Sequence, residues 1–148
     1  MMTTLYDTDF YTWTQTQAAA LRQKDLAALD LDHLAEEIES LGKSDRRAVE
    51  SEMRRLLLHL LKWRYDPAQD PRRGWRITIR EARRQIGDLL DDSPSLRPHP
   101  ARYLDRAYLV AVENAIDETV LPPETFPDNC PWPVEQVLDA DFWPEGQP

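Results

Sequence analysis

The 148-residue sequence has little cysteine and little glycine, and these scarcities exclude several kinds of site. Its one cysteine, Cys130, can form no disulfide within the chain and gives no support to a cysteine-based zinc site. With four glycines there is no glycine-rich phosphate loop, and no Gly-x-Ser-x-Gly nucleophile motif is present. The sequence therefore contains no motif that identifies a reaction.

The sequence shows neither the pattern expected of a leader segment nor a long apolar run. The first ten residues, MMTTLYDTDF, lack the basic region and the apolar core of a signal peptide. The longest uninterrupted apolar run is far shorter than the ~20 residues that span a bilayer. We therefore expect a cytoplasmic protein that does not associate with membranes.

The chain is acidic, but its charge is unevenly distributed. The formal net charge of −9 argues against nucleic-acid binding through the whole surface. Residues 43–84 nevertheless contain 13 Lys or Arg and 6 Asp or Glu, whereas the rest of the chain contains 5 and 21. Two interpretations remain open: a basic hairpin that packs among acidic helices, or a positive face that binds an acidic partner or a phosphate.

Apolar residues recur at helical spacing in several segments, and no alternation typical of strands is visible. The spacing predicts helices over about 6–25, 30–42, 45–65, 73–91 and 100–120. In the first of these helices one face is predicted to carry Phe10, Trp13, Gln17 and Leu21.

The boundary between the second and third helices is predicted from single residues. Asp30 is the expected N-cap of the second helix, Gly42 its C-terminal glycine, and Ser44 the cap of the third. The chain is therefore expected to turn or bend sharply at residues 42–44.

These segments predict one all-α domain over residues 1–148, a helical bundle of about five helices around a central antiparallel hairpin, 45–91. The twelve prolines mark the ends of its helices. The proline-rich segment 122–148 has too many aromatic residues for a disordered tail. We expect it to pack in an ordered, extended form on the bundle, with one short helix near 133–139.

Two tryptophans flank the proline-marked break of the hairpin, in the stretch HLLKWRYDPAQDPRRGWRITIREAR. If the two helices are antiparallel, Trp63 and Trp75 reach the same level. His59 then lies one turn further along the face of Trp63, and across from it come Ile79 and then Arg83. This cluster is predicted to be either a packed, hydrogen-bonded corner or a pocket. In a pocket the aromatic rings would hold a ligand, and Arg83 or Lys62 would bind its anionic group.

A second constellation, HLAEE, places His33 three residues before Glu36 and four before Glu37 on one helix surface. That spacing occurs in metal sites of helical bundles, although acidic residues on a solvated helix face are the simpler explanation. Further ligands for such a site could come from His59, Glu113, Asp117 and Glu118. No other cofactor is indicated.

The order of several segments along the chain also resembles a known family. These segments are YDTDFYTWTQTQAAALR, LAEEIESLG, LLLHLLKW, GWRITIREAR, SPSL, AYLVAVENAIDET and FPDNCPW followed by DFWP. Together they resemble the bacterial domain-of-unknown-function family 29 over nearly the whole chain. The resemblance implies a small, mainly helical bacterial domain, and it brings no activity, cofactor or catalytic residue.

The sequence thus favours a non-enzymatic protein that acts by contact with itself or with another protein. In this hypothesis a basic face on one subunit meets acidic elements of another and orients the association. The alternative is a bundle that binds a small ligand or a metal, and that acts as an enzyme or as a binding protein. Its site would lie near His59, Trp63, Trp75 and Arg83.

Overall fold

The computed structural model describes residues 3–145, and within them the secondary structure is helical without a strand. The described residues form six α-helices: α1 Leu5–Thr8, α2 Phe10–Arg22, α3 Leu31–Tyr65, α4 Arg72–Asp92, α5 His99–Glu118 and α6 Val134–Leu138. Short 3-10 turns lie at Leu26–Ala28, Pro94–Leu96 and Pro123–Thr125. The predicted all-α bundle is confirmed.

The chain forms two compact units, one up to Ser44 and the other from Asp45 onward. The first contains α1, α2 and the beginning of α3, and the second contains the remainder of α3 with α4, α5 and α6. A single domain over 1–148 stays a prediction, and residues 146–148 at its end lie outside the described residues.

The predicted first helix is divided at Asp9, which ends α1 and caps α2. The Asp9 carboxylate accepts hydrogen bonds from the backbone N–H and the hydroxyl of Thr12, at 3.0 and 2.7 Å. An acidic side chain suits this place because it binds a free N–H at the positive end of the helix dipole. The predicted apolar face is only partly right, since Phe10 and Leu21 are exposed. The buried residues of α2 are Trp13, Gln17 and Ala20.

Polar side chains of α2 hold the start of α3 in the N-terminal unit. The Trp13 indole N–H donates to the Asp30 carboxylate at 3.1 Å. The Gln17 amide donates to the Ala28 carbonyl at 3.2 Å and accepts from the Asp30 N–H at 2.8 Å. The buried polar atoms of Gln17 are therefore satisfied by backbone groups, as a small core requires.

The end of α2 is formed without glycine. Lys24 takes the left-handed conformation, with φ of 57°. The Asp25 N–H bonds the Ala20 carbonyl at 2.9 Å and the Lys24 N–H bonds the Leu21 carbonyl at 3.1 Å, which is the Schellman pattern. A lysine in this conformation costs on the order of 1 kcal/mol, and glycine would avoid that cost.

The predicted turn at residues 42–44 is wrong, because α3 runs without interruption from Leu31 to Tyr65. Gly42 and Ser44 lie inside this helix, and none of the described glycines has a positive φ. An interior glycine costs about 1 kcal/mol relative to alanine, which a 35-residue helix tolerates. Glycine ends a helix only where the following residues favour the left-handed cap, and the residues from Lys43 onward continue the helix.

The second part of α3 is the centre of the C-terminal unit. From Val49 to Leu61 its buried side chains form one hydrophobic core with residues of α4 and α5. The α4 contribution consists of Ile79, Ala82, Ile86 and Leu90, and α5 adds Ala107, Tyr108, Ala111 and Ala115. The second part of α3 is apolar over a wide sector because it contacts neighbours on several sides.

The proline-rich segment after α5 packs on this core. Phe126, Trp132 and Val137 are buried members of the core cluster. The Tyr108 hydroxyl donates to the Pro127 carbonyl at 2.7 Å, which fixes the segment on α5. The short helix predicted near 133–139 is α6, Val134–Leu138.

The part of the chain that the structure describes contains no helix with both the length and the apolar character needed to cross a bilayer.

Candidate functional site

One side of α4 carries a row of arginines. The row consists of six arginines in the first four turns of α4: Arg72, Arg73, Arg76, Arg80, Arg83 and Arg84. The apolar side of the same helix faces the core and adjoins the arginine side, and Arg83 lies buried near the boundary between the two. Four of them, Arg73, Arg76, Arg80 and Arg84, are exposed.

At the start of α4 two arginines lie over the Trp63 ring. The Arg72 guanidinium carbon is 4.3 Å from the ring centroid and that of Arg76 is 5.9 Å away, both within cation–π range. Arg72 also donates to the Trp63 carbonyl at 3.0 Å and to the Asp66 carbonyl at 3.3 Å. Arg72 therefore ties the end of α3 to the start of α4 across the proline-marked break.

Trp143, in the segment after α6, connects this pair to the next arginines. Its ring centroid lies 5.0 Å from that of Trp63, with the planes tilted by 49°. The guanidinium carbons of Arg80 and Arg83 lie 5.7 and 5.5 Å from the Trp143 centroid. Two tryptophans and four arginines thus form a continuous cluster along α4.

Arg83 is the buried member of this cluster, with 7% of its surface exposed. Its Nε donates to the Val137 carbonyl at 2.9 Å, and its Nη2 donates to the Gln136 carbonyl at 3.4 Å. Its Nη1 is buried and has no hydrogen-bond partner among the described residues. Burial lowers the pKa of Arg83, and the nearby Asp139 carboxylate acts in the opposite direction.

A pocket of about 290 Å³ opens beside these residues. It is lined by Arg80, Arg83 and Arg84 of α4, with Leu138 and Ala140 on the other side. The Arg84 guanidinium is paired with the Glu81 carboxylate. Within residues 3–145, Arg80 has no carboxylate within ion-pair distance. The pocket therefore combines a cationic side with a small apolar wall.

The predicted cluster is only partly assembled. Trp63 and Arg83 belong to one group through Trp143, whereas the described rings of Trp63 and Trp75 make no contact with each other. Trp75 is buried but lies outside the main core cluster. Lys62 forms an ion pair with Glu118 at 3.0 Å.

His59 is bound to its own helix instead of a neighbour. Its Nδ1 lies 2.8 Å from the Arg55 carbonyl oxygen, one turn earlier in α3. Burial lowers the pKa of His59, and the charges of Lys62 and Arg55 act in the same direction, while the carbonyl contact opposes them. A neutral imidazole is therefore favoured at this position.

The residues of the predicted metal site have other contacts. His33 lies 2.7 Å from the Asp30 carboxylate and stacks on the Tyr6 ring with centroids 3.9 Å apart. The Glu37 carboxylate accepts a hydrogen bond from the Tyr6 hydroxyl. Glu36 is exposed, and within the described residues no group of three or more His, Cys, Asp or Glu side chains is placed to hold a metal ion. The geometry thus gives the metal hypothesis no support.

Sequence reasoning missed Trp143, Arg80 and Arg84 as parts of the site. The arginines carried a usable signal, because positions 72, 76, 80, 83 and 84 recur at helical spacing on one side of α4. Trp143 carried none, since it follows α6 in a segment without regular periodicity. Only the folded path of that segment places its ring beside Trp63.

A different feature distinguishes the N-terminal unit. Eleven large apolar side chains are exposed among the described residues, and eight of them precede Ser44. Three lie on α3, where Leu31, Ile38 and Leu41 are 68%, 67% and 69% exposed. Together with the half-buried Leu34 they form a stripe with spacings of three, four and three residues. We refer to these four residues as the α3 stripe.

Comparison with known proteins finds one similarity. The family model described as "Domain of unknown function DUF29" matches residues 5–143 of the chain. No curated protein and no solved structure matches it.

Proposed function

The chain belongs to the DUF29 family, and we propose that it acts as a self-associating interaction domain in which the α3 stripes of two copies pack together. The observation that carries the proposal is the exposure of Leu31, Ile38 and Leu41, each about two thirds accessible on a continuous helix. Exposed apolar side chains that lie together on one face are typical of a surface that meets a partner.

The spacing of the α3 stripe supports a second helix as its partner. Intervals of three, four and three residues place the four side chains at successive a and d positions of a heptad, the seam by which paired helices interlock. The flanking e positions hold Ala35 and Gly42, whose small size permits close approach of two backbones. No large or charged side chain on that flank separates the helices.

A second copy of the same chain offers a suitable partner, because it carries the same apolar stripe flanked by the same small residues. Around a twofold axis the same stripe is presented by each subunit, so every apolar position meets another apolar position. Gly42 is compatible with this choice, because a methyl group there would meet no atom within 4 Å outside its chain neighbours and the backbone of its own helix. Its missing side chain is thus not required by packing within the chain.

The effect of salt distinguishes this proposal from the hypothesis that a basic face on one subunit meets acidic elements of another. Residues 3–44 contain eight Asp or Glu and three Lys or Arg, so two N-terminal units repel each other. Salt screens that repulsion, and association through the α3 stripe should be as strong or stronger at high ionic strength. Association of a basic face with an acidic face should instead weaken as the ionic strength rises.

Sedimentation velocity over a range of protein concentrations tests the proposal. We expect the wild-type chain to form a dimer and the double variant Ile38→Ser, Leu41→Ser to be a monomer. A buried Ile or Leu contributes about 1.5–3 kcal/mol, so losing four such side chains from the interface costs about 6 kcal/mol or more and weakens the dimer by about ten-thousand-fold or more.

The matched control is Ile77→Ser on α4, which removes a comparably exposed apolar side chain outside the stripe. Both changes lie at the surface and should alter the free energy of unfolding by no more than about 0.5 kcal/mol per site. A wild-type monomer at low and high salt contradicts the proposal. Equal loss of the dimer in the Ile77→Ser control contradicts the assignment to the α3 stripe.

A further inference from the structure

The pocket at Arg80, Arg83 and Arg84 has the features of an anion-binding site. Its volume of about 290 Å³ is at the lower end for ligand pockets and suits a small group. The charged side chains that line it are all arginines, and the remaining lining residues, Leu138 and Ala140, are apolar. A positive charge beside an apolar wall strengthens the attraction for an anion, because less water screens it.

The buried guanidinium of Arg83 is the strongest indication of a ligand. It is more than nine-tenths buried and lines the pocket, yet its Nη1 has no hydrogen-bond partner in the described chain. A buried, charged donor without an acceptor is unfavourable, and nearly all such groups in proteins are paired. An anionic oxygen in the pocket would supply the missing acceptor.

The neighbouring arginines are placed to contribute to the same anion. Arg80 has no carboxylate partner in the described part of the chain, and Trp143 lies beside both Arg80 and Arg83. Contact with this ring restricts the two guanidinium groups, so less conformational entropy is lost when a ligand binds. Arg84 is held by Glu81, which balances one of the three charges.

We propose that this pocket binds the phosphate group of a small phosphorylated molecule. A carboxylate carries one charge and two oxygens, which a single arginine fork can satisfy. A phosphate carries about −1.5 to −2 charges near pH 7 and three acceptor oxygens. It therefore matches a pocket in which two guanidinium groups remain without a carboxylate partner and a third lies alongside.

Isothermal titration calorimetry of the intact chain with inorganic phosphate and with pyrophosphate tests this site. We expect saturable binding of one equivalent and an affinity lowered by about ten-fold or more in Arg80→Gln, because a charge-assisted hydrogen bond is lost. The control Arg73→Gln removes the same charge from an exposed position of α4 outside the pocket. It should leave the affinity within about two-fold.

Arg83→Lys provides a second variant, since it keeps the charge and loses the fork. It should also weaken phosphate binding, with circular dichroism confirming that the helices remain intact. The absence of saturable phosphate binding overturns the proposal, as does equal weakening in Arg80→Gln and Arg73→Gln. Succinate binding as tight as phosphate binding overturns the assignment to phosphate.

Discussion

At the scale of single residues, a carboxylate partner at one histidine and burial at another shift the pKa values of the two imidazoles. His33 and His59 are both half-buried on α3, and their pKa values are shifted in opposite directions. The hydrogen bond to the Asp30 carboxylate raises the pKa of His33, and the same contact lowers the pKa of Asp30. Burial near Lys62 and Arg55 lowers the pKa of His59.

The shifts on His33 and Asp30 define a pH window for the N-terminal unit. Because the folded-state pKa of His33 is raised, its stabilisation is complete below the ordinary value of 6.5 and is lost as pH rises through the raised pKa. Because the pKa of Asp30 is lowered, its stabilisation is complete above the ordinary value of 3.8 and is lost as pH falls through the lowered pKa. The pair therefore stabilises the unit most between these two ordinary values.

Titration of the imidazole resonances by NMR checks this account. We expect His33 to titrate above 6.5 and His59 below it. The variant Asp30→Asn should return His33 toward the ordinary value and leave His59 unchanged, since the two histidines have no partner in common. If His59 titrates at a higher pH than His33, the described hydrogen bonds are wrong.

At the scale of the elements, the sequence predicts the position of a side chain where helical spacing determines it. It does not predict the position where the path of a non-helical segment determines it. The core face of α4, with Ile79, Ala82 and Ile86, follows directly from its periodicity. Trp143 cannot be predicted in this way, because its place beside Trp63 depends on the turns after α6.

The error at Gly42 has a different physical origin. Glycine is favourable after the end of a helix and only mildly unfavourable inside one. A single glycine therefore does not show whether a helix ends there or continues. The decision depends on the helix-forming residues on both sides, which make α3 continuous. The same position flanks the α3 stripe, so its effect on association can be separated from its effect on helix stability.

The substitution Gly42→Ala should therefore have two opposite effects. It should raise the free energy of unfolding by up to about 1 kcal/mol, since alanine favours the helix. It should also weaken the dimer, because the added methyl group keeps the two backbones apart.

The matched control is Gly87→Ala, which also lies inside a helix and has open space at its Cβ position. Both variants should be more stable than the wild type in thermal unfolding followed by circular dichroism. Only Gly42→Ala should lower the dimer affinity in sedimentation. If the dimer tolerates Gly42→Ala as well as Gly87→Ala, the helices do not approach each other at this residue.

At the scale of the whole molecule, the net charge is acidic, but two regions of the surface differ in their chemistry. The N-terminal unit is acidic and exposes most of the large apolar side chains, whereas α4 in the C-terminal unit exposes a row of arginines. The sequence shows the charge difference directly. It does not show which apolar residues stay exposed, because the α3 stripe has the same spacing as a buried helix face.

The position of Ser40 gives the most direct test of the central claim, that the α3 stripes of two copies pair. Ser40 is exposed on α3 and lies outside the stripe and its small flanking residues, so a label there does not separate the two backbones. A spin label at Ser40→Cys, with Cys130→Ser to remove the native thiol, reports the distance between two copies by pulsed electron resonance.

Paired helices lie about 8–10 Å apart, so we predict a distance between the two labels below about 30 Å. The same label at the exposed Ala101 of α5 is the control and should give no such short distance. Labels at position 40 that show no coupling between copies, at a concentration where the chain is dimeric, would contradict the account.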